Sequence, residues 1–195
     1  TKNDILLISD EVYREIVFNS KKFISLNSMI NEENRKNIAV VNSISKSNAM
    51  AGWRVGYMNI PIELVKPIKI LQSYSTSNIN TLAQEVAIDA IKNDEEFINE
   101  LKMSLKTRSD LVCNYLKEIK GIKIELKPEG TFYVWVNIEK IKKDSRVFCN
   151  EVLEKIHIAL VPGIEFGVDG YIRISCSNSI ENINLGMKKL KEYLN

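Results

Sequence analysis

The chain has 195 residues, of which 45% are hydrophobic and 27% charged, an ordinary globular composition that allows one large domain or two small ones. Its 27 Lys and Arg nearly balance its 25 Asp and Glu, so charge gives no electrostatic case for binding nucleic acid or an anionic membrane. A single histidine, His157, gives little support to histidine-based zinc sites or Ser-His-Asp triads, and three widely spaced cysteines fit reduced thiols in a cytoplasmic protein.

The first 92 residues have the pattern of a parallel α/β sheet. Residues 5–8 and 38–41 are apolar throughout, which is typical of strands buried on both faces of a sheet. A third apolar run ends at Pro61, and because proline is tolerated in the first turn of a helix, we expect a helix from Pro61 to about Gln72. Apolar residues at helical spacing predict another helix over residues 81–91.

The rest of the chain has a different pattern. A long amphipathic helix is expected from Asp94 to the stop at Gly121. After it, strands are predicted over residues 122–126, 131–137, 158–161 and 171–176. A helix is predicted over residues 146–155, and a closing helix, capped by Ser177 or Ser179, over residues 179–194. The aromatic residues of the second strand, Phe132, Tyr133 and Trp135, are expected in the sheet core.

These patterns divide the chain into three parts. Residues 1–92 form part of an α/β domain, residues 93–121 a connecting helix, and residues 122–195 a compact α+β domain. The sequence contains no internal repeat and no apolar run of transmembrane length.

Lys46 is the first candidate for chemistry, because it follows a predicted buried strand. Open α/β sheets bind ligands at the carboxyl ends of their parallel strands. Residues 42–47 (NSISKS) contain three hydroxyls, which beside a lysine suit an anion such as phosphate. Arg54 follows between Gly52 and Gly56, whose lack of side chains lets the backbone pass close to a ligand. A solvated lysine in a polar loop is the ordinary alternative.

Two further positions carry groups with possible functions. Asp10 ends the first predicted strand and Tyr13 follows it, so an acid and a phenol would lie at the same sheet edge as Lys46. Alone, each is explained by a helix N-cap or by packing. Arg173 lies in the apolar strand 171–175 (YIRIS) and is either an outward-facing strand residue, with which a glutamate could pair, or a guanidinium fork held for a carboxylate.

Residues 43–57 (SISKSNAMAGWRVGY) resemble the pyridoxal-phosphate attachment segment of the class I/II aminotransferases. Residues 10–13 (DEVY) are similar to the family's Asp-x-x-Tyr element, and residues 128–133, 161–167 and 171–175 to three of its later segments. The resemblance spans essentially the whole chain in the same order. It implies fold type I, with part of a large, mostly parallel domain whose N-terminal half is missing, followed by a complete small α+β domain.

The resemblance implies a role for each residue of the attachment region. Lys46 would hold pyridoxal 5'-phosphate as a Schiff base and then move the proton of the substrate α-carbon. Asp10 would keep the pyridine nitrogen protonated, because a nearby carboxylate favours the cation. Tyr13 would donate a hydrogen bond to the phenolic oxygen of the ring.

The remaining implied roles concern the phosphate and the substrate. Ser43, Ser45 and Arg54 would hold the phosphate, and Arg173 would bind the substrate α-carboxylate through two parallel hydrogen bonds. The implied reaction transfers an amino group between an amino acid and a 2-oxo acid, in a cytoplasmic and homodimeric parent protein. Trp53 before Arg54 is more similar to the aspartate and aromatic branch of the family.

Two alternatives stay open from the sequence. One keeps the fold and cofactor but decarboxylates its substrate or cleaves a carbon–sulfur bond. The other is an aminotransferase-like sensor domain of a transcription regulator. The order of the motifs also implies that the family's N-terminal half, which contributes to the cofactor pocket, is absent from these 195 residues. We therefore expect this chain alone to bind pyridoxal phosphate weakly or not at all, and to have no turnover.

Overall fold

The computed structural model describes residues 5–19 and 21–195. The chain divides into two compact units, Thr1–Leu101 and Lys102–Asn195. The boundary lies within one long helix, Glu95–Lys117. Among the described residues, no helix is both long enough and apolar enough to cross a membrane.

The first unit is built on a three-stranded sheet with the strand order β1-β2-β3. Its elements are β1 (Leu7–Asp10), β2 (Ile38–Ser43), the single-turn helix α1 (Ile44–Ser47), β3 (Gly56–Asn59), α2 (Ile62–Ser75), α3 (Thr81–Lys92) and the first part of α4 (Glu95–Lys117). Strands β1 and β2 are parallel, whereas β3 runs antiparallel to β2. The expected third strand is thus present with the opposite direction, because a link of single-turn helices returns the chain without a long crossover.

Burial differs between the two parallel strands. Ile38, Ala39 and Val40 of β2 are buried, as predicted. The prediction that residues 5–8 are buried on both faces is wrong for the described structure, in which Ile8 is 63% exposed. Strand β1 pairs only with β2 and forms an edge of the described sheet, so its apolar side chains have few neighbours.

The helices of the first unit follow the sequence pattern closely. Pro61 lies at the N-cap of α2, just before the first helical residue. The side chain of Asn80 caps α3 by accepting a hydrogen bond from the Ala83 amide. Beyond α4, Gly121 has a φ of +85°, the left-handed conformation expected of a helix stop.

The second unit is a small antiparallel sheet covered on one face by helices. Its elements after α4 are β4 (Tyr133–Asn137), α5 (Ser145–Ile156), β5 (Val161–Pro162), β6 (Tyr171–Ser175) and α6 (Ile180–Leu194), with the strand order β4-β6-β5. Val134, Val136, Ile172 and Ile174 point into one core with residues of α4, α5 and α6. The mixed α/β class of the chain is therefore confirmed.

Two details of the second unit differ from the predictions, and a third agrees with them. Residues 122–126 form no regular strand but only an isolated bridge between Lys123 and Asn137. Leu126 is exposed, and Pro128 has no backbone N–H to donate to a sheet. The alternating apolar residues therefore do not continue into a regular strand pair. The strand predicted over 158–161 is only the two residues of β5. The N-cap of α6 is Ser179, whose side chain accepts from the Asn182 amide.

The prediction that Phe132, Tyr133 and Trp135 lie in the sheet core is also wrong. All three are half-buried. Tyr133 and Trp135 alternate with the buried valines of β4, so they lie on the opposite face of the sheet.

Candidate functional site

The carboxyl ends of β1 and β2 bring predicted site residues to one edge of the first unit. Parallel pairing places Asp10 opposite Val41, and β2 continues to Ser43, where α1 begins. The turn Ala51–Trp53 packs against α1. We call the predicted residues of this region the lysine cluster, which consists of Asp10, Tyr13, Ser43, Ser45, Lys46 and Arg54.

Lys46 is held on a short, well-anchored helix. Ser43 is the N-cap of α1, and its hydroxyl accepts a hydrogen bond of 2.9 Å from the Ser45 amide. The side chain of Ile44 is 1% exposed and fixes the helix to the core of the unit. Lys46 is half-buried, and its Nζ lies 5.8 Å from the centroid of the Tyr13 ring. This distance is within cation–π range, so the structure brings the lysine and the phenol together.

Asp10 ends β1, and Tyr13 belongs to the tight turn that follows. The exposed carboxylate of Asp10 accepts a hydrogen bond of 3.2 Å from the Val12 amide. Tyr13 begins the next turn, because its carbonyl accepts from the Ile16 amide at 2.9 Å. Asp10 thus caps a turn and not the helix that the ordinary alternative predicted. Capping does not exclude a ligand role, because a carboxylate has two oxygens and several lone pairs.

Arg54 lies in a strained backbone segment. It has φ 57° and ψ 43°, a left-handed conformation that costs a non-glycine residue ~1–2 kcal/mol. Its exposed guanidinium donates a hydrogen bond of 2.8 Å from Nη1 to the Ala51 carbonyl. Ala49 is also left-handed, with φ 54°. Backbone strain of this kind concentrates at ligand sites.

Gly56 lies in tight packing where β3 returns beside the lysine cluster. It pairs with Ser43, and a Cβ at this position would lie 3.1 Å from the Asn42 carbonyl oxygen. The sequence argument that glycine permits close backbone approach therefore applies here to a neighbouring strand.

Arg173 occupies a different environment in the second unit. Its Cζ lies 4.1 Å from the centroid of the Tyr133 ring and 4.7 Å from that of Phe166. Trp135 packs edge-on against Phe166 and stacks on Tyr171. We call Arg173, Tyr133 and Phe166 the arginine cluster. Across the part of the chain that the structure describes, no carboxylate forms an ion pair with Arg173, so an outward-facing Arg173 has no glutamate partner there.

Hydrogen bonds to Ser145 and Asp169 hold the segment that carries Phe166. The Ser145 hydroxyl and amide both donate to Asp169, at 2.6 and 2.9 Å, and the Ile164 amide donates to the same hydroxyl. These bonds from Ser145 hold the pKa of the Asp169 carboxyl below its usual value. Arg146 and Glu165 add an ion pair of 2.7 Å. Phe166 is therefore held in position over the guanidinium.

Sequence reasoning missed two contributions to these clusters. The aromatic partners of Arg173 could have been found, since Trp135 is directly opposite Arg173 in the β4–β6 register and Tyr133 shares its face. Glu11, which is 2% exposed, has no feature in the sequence that marks it as buried.

The three cysteines take no part in either cluster. Cys113, Cys149 and Cys176 are free and buried. Burial raises the pKa of Cys149 to about 11 and that of Cys176 to about 12, which makes both poor nucleophiles.

Comparison with known proteins gives a consistent result. The family model described as aminotransferase class I and II matches residues 1–190. An aspartate/prephenate aminotransferase from Nitrosomonas europaea is 33% identical over 202 residues, which cover 98% of this chain and 50% of the relative. The chain spans about half the length of the curated relatives it matches.

Solved structures give the same picture. An aspartate aminotransferase from Thermotoga maritima is 34% identical with a TM-score of 0.85, and the match covers 100% of this chain and 49% of that one. An aromatic aminotransferase from Pyrococcus horikoshii is 29% identical with a TM-score of 0.90, covering 99% and 52% respectively.

Proposed function

Because this chain belongs to the class I and II aminotransferase family, we propose that it forms part of an enzyme that transfers an amino group between an amino acid and a 2-oxo acid. The observation that carries the proposal is the position of Lys46, half-buried beside the Tyr13 ring and next to the carboxyl end of a parallel strand pair. Since the chain spans about half the length of its relatives, the activity is proposed for the protein in which the remaining length is also present.

The cofactor that we propose is pyridoxal 5'-phosphate. The amine of the lysine cluster suits the aldehyde of this cofactor, and the hydroxyls and guanidinium suit its phosphate. The carboxylate suits the ring nitrogen, and the phenol suits the phenolic oxygen. When bound, this group withdraws negative charge from the substrate α-carbon. The close approach of Lys46 to Tyr13 and the hydroxyl of Ser43 at the start of α1 support the fit.

The residues of the lysine cluster then have separate tasks. The Lys46 amine would bind the cofactor aldehyde, and would later accept the proton of the substrate α-carbon and return it at another atom. Asp10 would hold a proton on the ring nitrogen, because its negative charge favours the cationic form. Tyr13 would donate a hydrogen bond to the phenolic oxygen of the ring.

The phosphate would be held by the hydroxyls of Ser43 and Ser45 and by the guanidinium of Arg54. The Ser43 oxygen accepts from a backbone amide, and its own O–H can still donate to an anion. Arg54 would give up its bond to the Ala51 carbonyl for a stronger, charge-assisted one.

Arg173 is proposed to bind the substrate α-carboxylate. Tyr133 and Phe166 pack against the guanidinium, which holds it in place and leaves its N–H edge for a planar anion. A charge-assisted hydrogen bond of this type contributes ~1.5–3 kcal/mol.

The assembly and location of the enzyme are also proposals. We propose a homodimer, as the family resemblance implies. The three buried free thiols support a reducing compartment such as the cytoplasm. The aminotransferase names of the relatives favour amino transfer over decarboxylation, carbon–sulfur cleavage or a sensor role.

Half-reaction spectroscopy tests the proposed reaction. The full-length gene product, loaded with pyridoxal phosphate, is mixed with an amino acid and no 2-oxo acid. We expect the visible band to convert to the near-ultraviolet band of pyridoxamine phosphate, and a 2-oxo acid to restore it. Release of product without this stable conversion would instead assign the protein to the lyases or decarboxylases.

A further inference from the structure

Glu11 is a buried acid for which the proposed reaction has no use. Its side chain is 2% exposed. Among residues 5–19 and 21–195, no lysine or arginine forms an ion pair with it. Burial of a carboxylate without a cation is costly. The hydrogen bonds of the Glu11 carboxylate must therefore offset that cost, and we ask what else they hold in place.

Three neutral donors satisfy the carboxylate. Oε1 accepts from the Leu26 amide at 2.9 Å and from the Ser9 hydroxyl at 3.2 Å, and Oε2 accepts from the Ser25 hydroxyl at 2.5 Å. Two of these donors lie 14 and 15 residues further along the chain. The side chain therefore ties the end of β1 to a distant segment rather than to its own turn.

The backbone of Glu11 is equally constrained. Its amide donates to the Val41 carbonyl at 2.8 Å, which extends the β1–β2 ladder by one residue. Its carbonyl accepts from the Arg14 amide at 3.0 Å and so begins the turn that leads to Tyr13. Glu11 is thus the fixed point between Asp10, one residue before it, and Tyr13, two residues after it.

Asp10 has little support of its own. Asp10 is exposed, and β1 has a partner strand on one side only within the described sheet. A shift of this turn would move the carboxylate and the phenol relative to Lys46, whose Nζ lies 5.8 Å from the Tyr13 ring.

We propose that Glu11 is a positioning residue, whose buried carboxylate holds the turn over residues 10–13 against Ser25 and Leu26 and so fixes Asp10 and Tyr13 for the cofactor. The inference rests on the proposed function. A purely structural role would make Glu11 important for stability alone. A positioning role requires that cofactor affinity and the protonation of the bound cofactor change as well.

The test compares Glu11→Gln with the control Glu15→Gln in the full-length gene product. Glu15 lies in the same region, but it is only half-buried and pairs with its neighbour Arg14. The measurements are the dissociation constant for pyridoxal phosphate, the pH midpoint of its visible band, and thermal unfolding without cofactor. For Glu11→Gln we expect about tenfold weaker binding, the scale of one charge-assisted hydrogen bond, and a displaced pH midpoint. Glu15→Gln should match the wild type.

Ser25→Ala serves as a second variant if Glu11→Gln fails to fold. It removes one hydrogen bond to Glu11 and keeps the negative charge of Glu11. We expect weaker binding of pyridoxal phosphate and a displaced pH midpoint, both smaller than in Glu11→Gln. The proposal is overturned if a folded Glu11→Gln or Ser25→Ala protein loses thermal stability while its dissociation constant and pH midpoint stay at wild-type values. Failure of the proposed function is a separate result, in which the wild type itself gives no visible band.

Discussion

At the scale of single residues, the segment that carries Phe166 depends on the small size of Gly163. A Cβ built on Gly163 would lie 2.4 Å from the Val168 carbonyl oxygen and 2.6 Å from that of Tyr171. Both are backbone atoms, which cannot move aside as the end of a flexible side chain can. Since Phe166 packs against Arg173, the size of one residue controls the surroundings of the proposed carboxylate ligand.

Gly163→Ala is therefore expected to destabilise the protein by ~1–3 kcal/mol, the usual cost of overpacking. Gly186→Ala is the matched control, because Gly186 lies inside α6 and the nearest atom to its added Cβ is 4.0 Å away. That variant should gain ~0.8–1 kcal/mol of stability from helix propensity. Urea unfolding of both variants measures the difference, and equal stability would show that the packing around Gly163 is not as tight as described.

A second residue-scale prediction concerns Asp169 and acid. Hydrogen bonds from Ser145 stabilise the Asp169 carboxylate in the folded state and lower its pKa below the ordinary value of 3.8. A group with a lowered folded pKa contributes stability above its unfolded pKa, and that contribution disappears as the pH falls through the folded pKa.

Asp169→Asn should accordingly be less stable than the wild type at neutral pH, and the gap should narrow as the pH falls below about 4. Thermal unfolding of both proteins between pH 3 and pH 7 provides the measurement. A stability difference that stays constant through this range would exclude the carboxylate bonds as its source.

At the scale of elements, the sequence predicted most helices and strands, and the failures have particular causes. Helices α2, α3 and α4 were predictable from local signals. A proline marks the start of α2, apolar residues at helical spacing mark α3 and α4, and a glycine follows α4. The direction of β3 and the exposure of β1 were not, since both depend on which strands pair. Residues 122–126 alternate like a strand, yet they make only one bridge.

The candidate site was predictable to a similar degree. Lys46 and Tyr13, assigned by resemblance, do lie close together. The alternation of β4 was sufficient to place Tyr133 on the face of Arg173, but the aromatic composition of the strand indicated a core. Glu11 could not be predicted, because its partners Ser25 and Leu26 come close only through the fold.

At the scale of the whole molecule, the chain consists of two compact units and spans about half the length of its curated relatives. Several apolar side chains of β1 and α2 are exposed, among them Ile8 and Tyr74. Such surface is typical of regions that other polypeptide covers, which supports the proposal that the activity belongs to a protein longer than these 195 residues.

Expression of these 195 residues alone tests that requirement. We expect weak or undetectable binding of pyridoxal phosphate in an absorbance titration and no transamination, since part of the cofactor pocket is proposed to lie elsewhere. A protein spanning the full length of the relatives is the positive control. Micromolar binding by the 195 residues, with a visible band, would contradict the expectation.

The central claim is that Lys46 binds the cofactor, and the most direct measurement is the visible spectrum of Lys46→Ala in the full-length gene product. Borohydride reduction and peptide mapping of the wild type accompany it, with Lys36→Ala as a control outside the lysine cluster. We predict that Lys46→Ala has no visible band, that Lys36→Ala retains it, and that the reduced cofactor is found on the peptide containing Lys46. A full visible spectrum in Lys46→Ala, or a label on another lysine, would contradict the account.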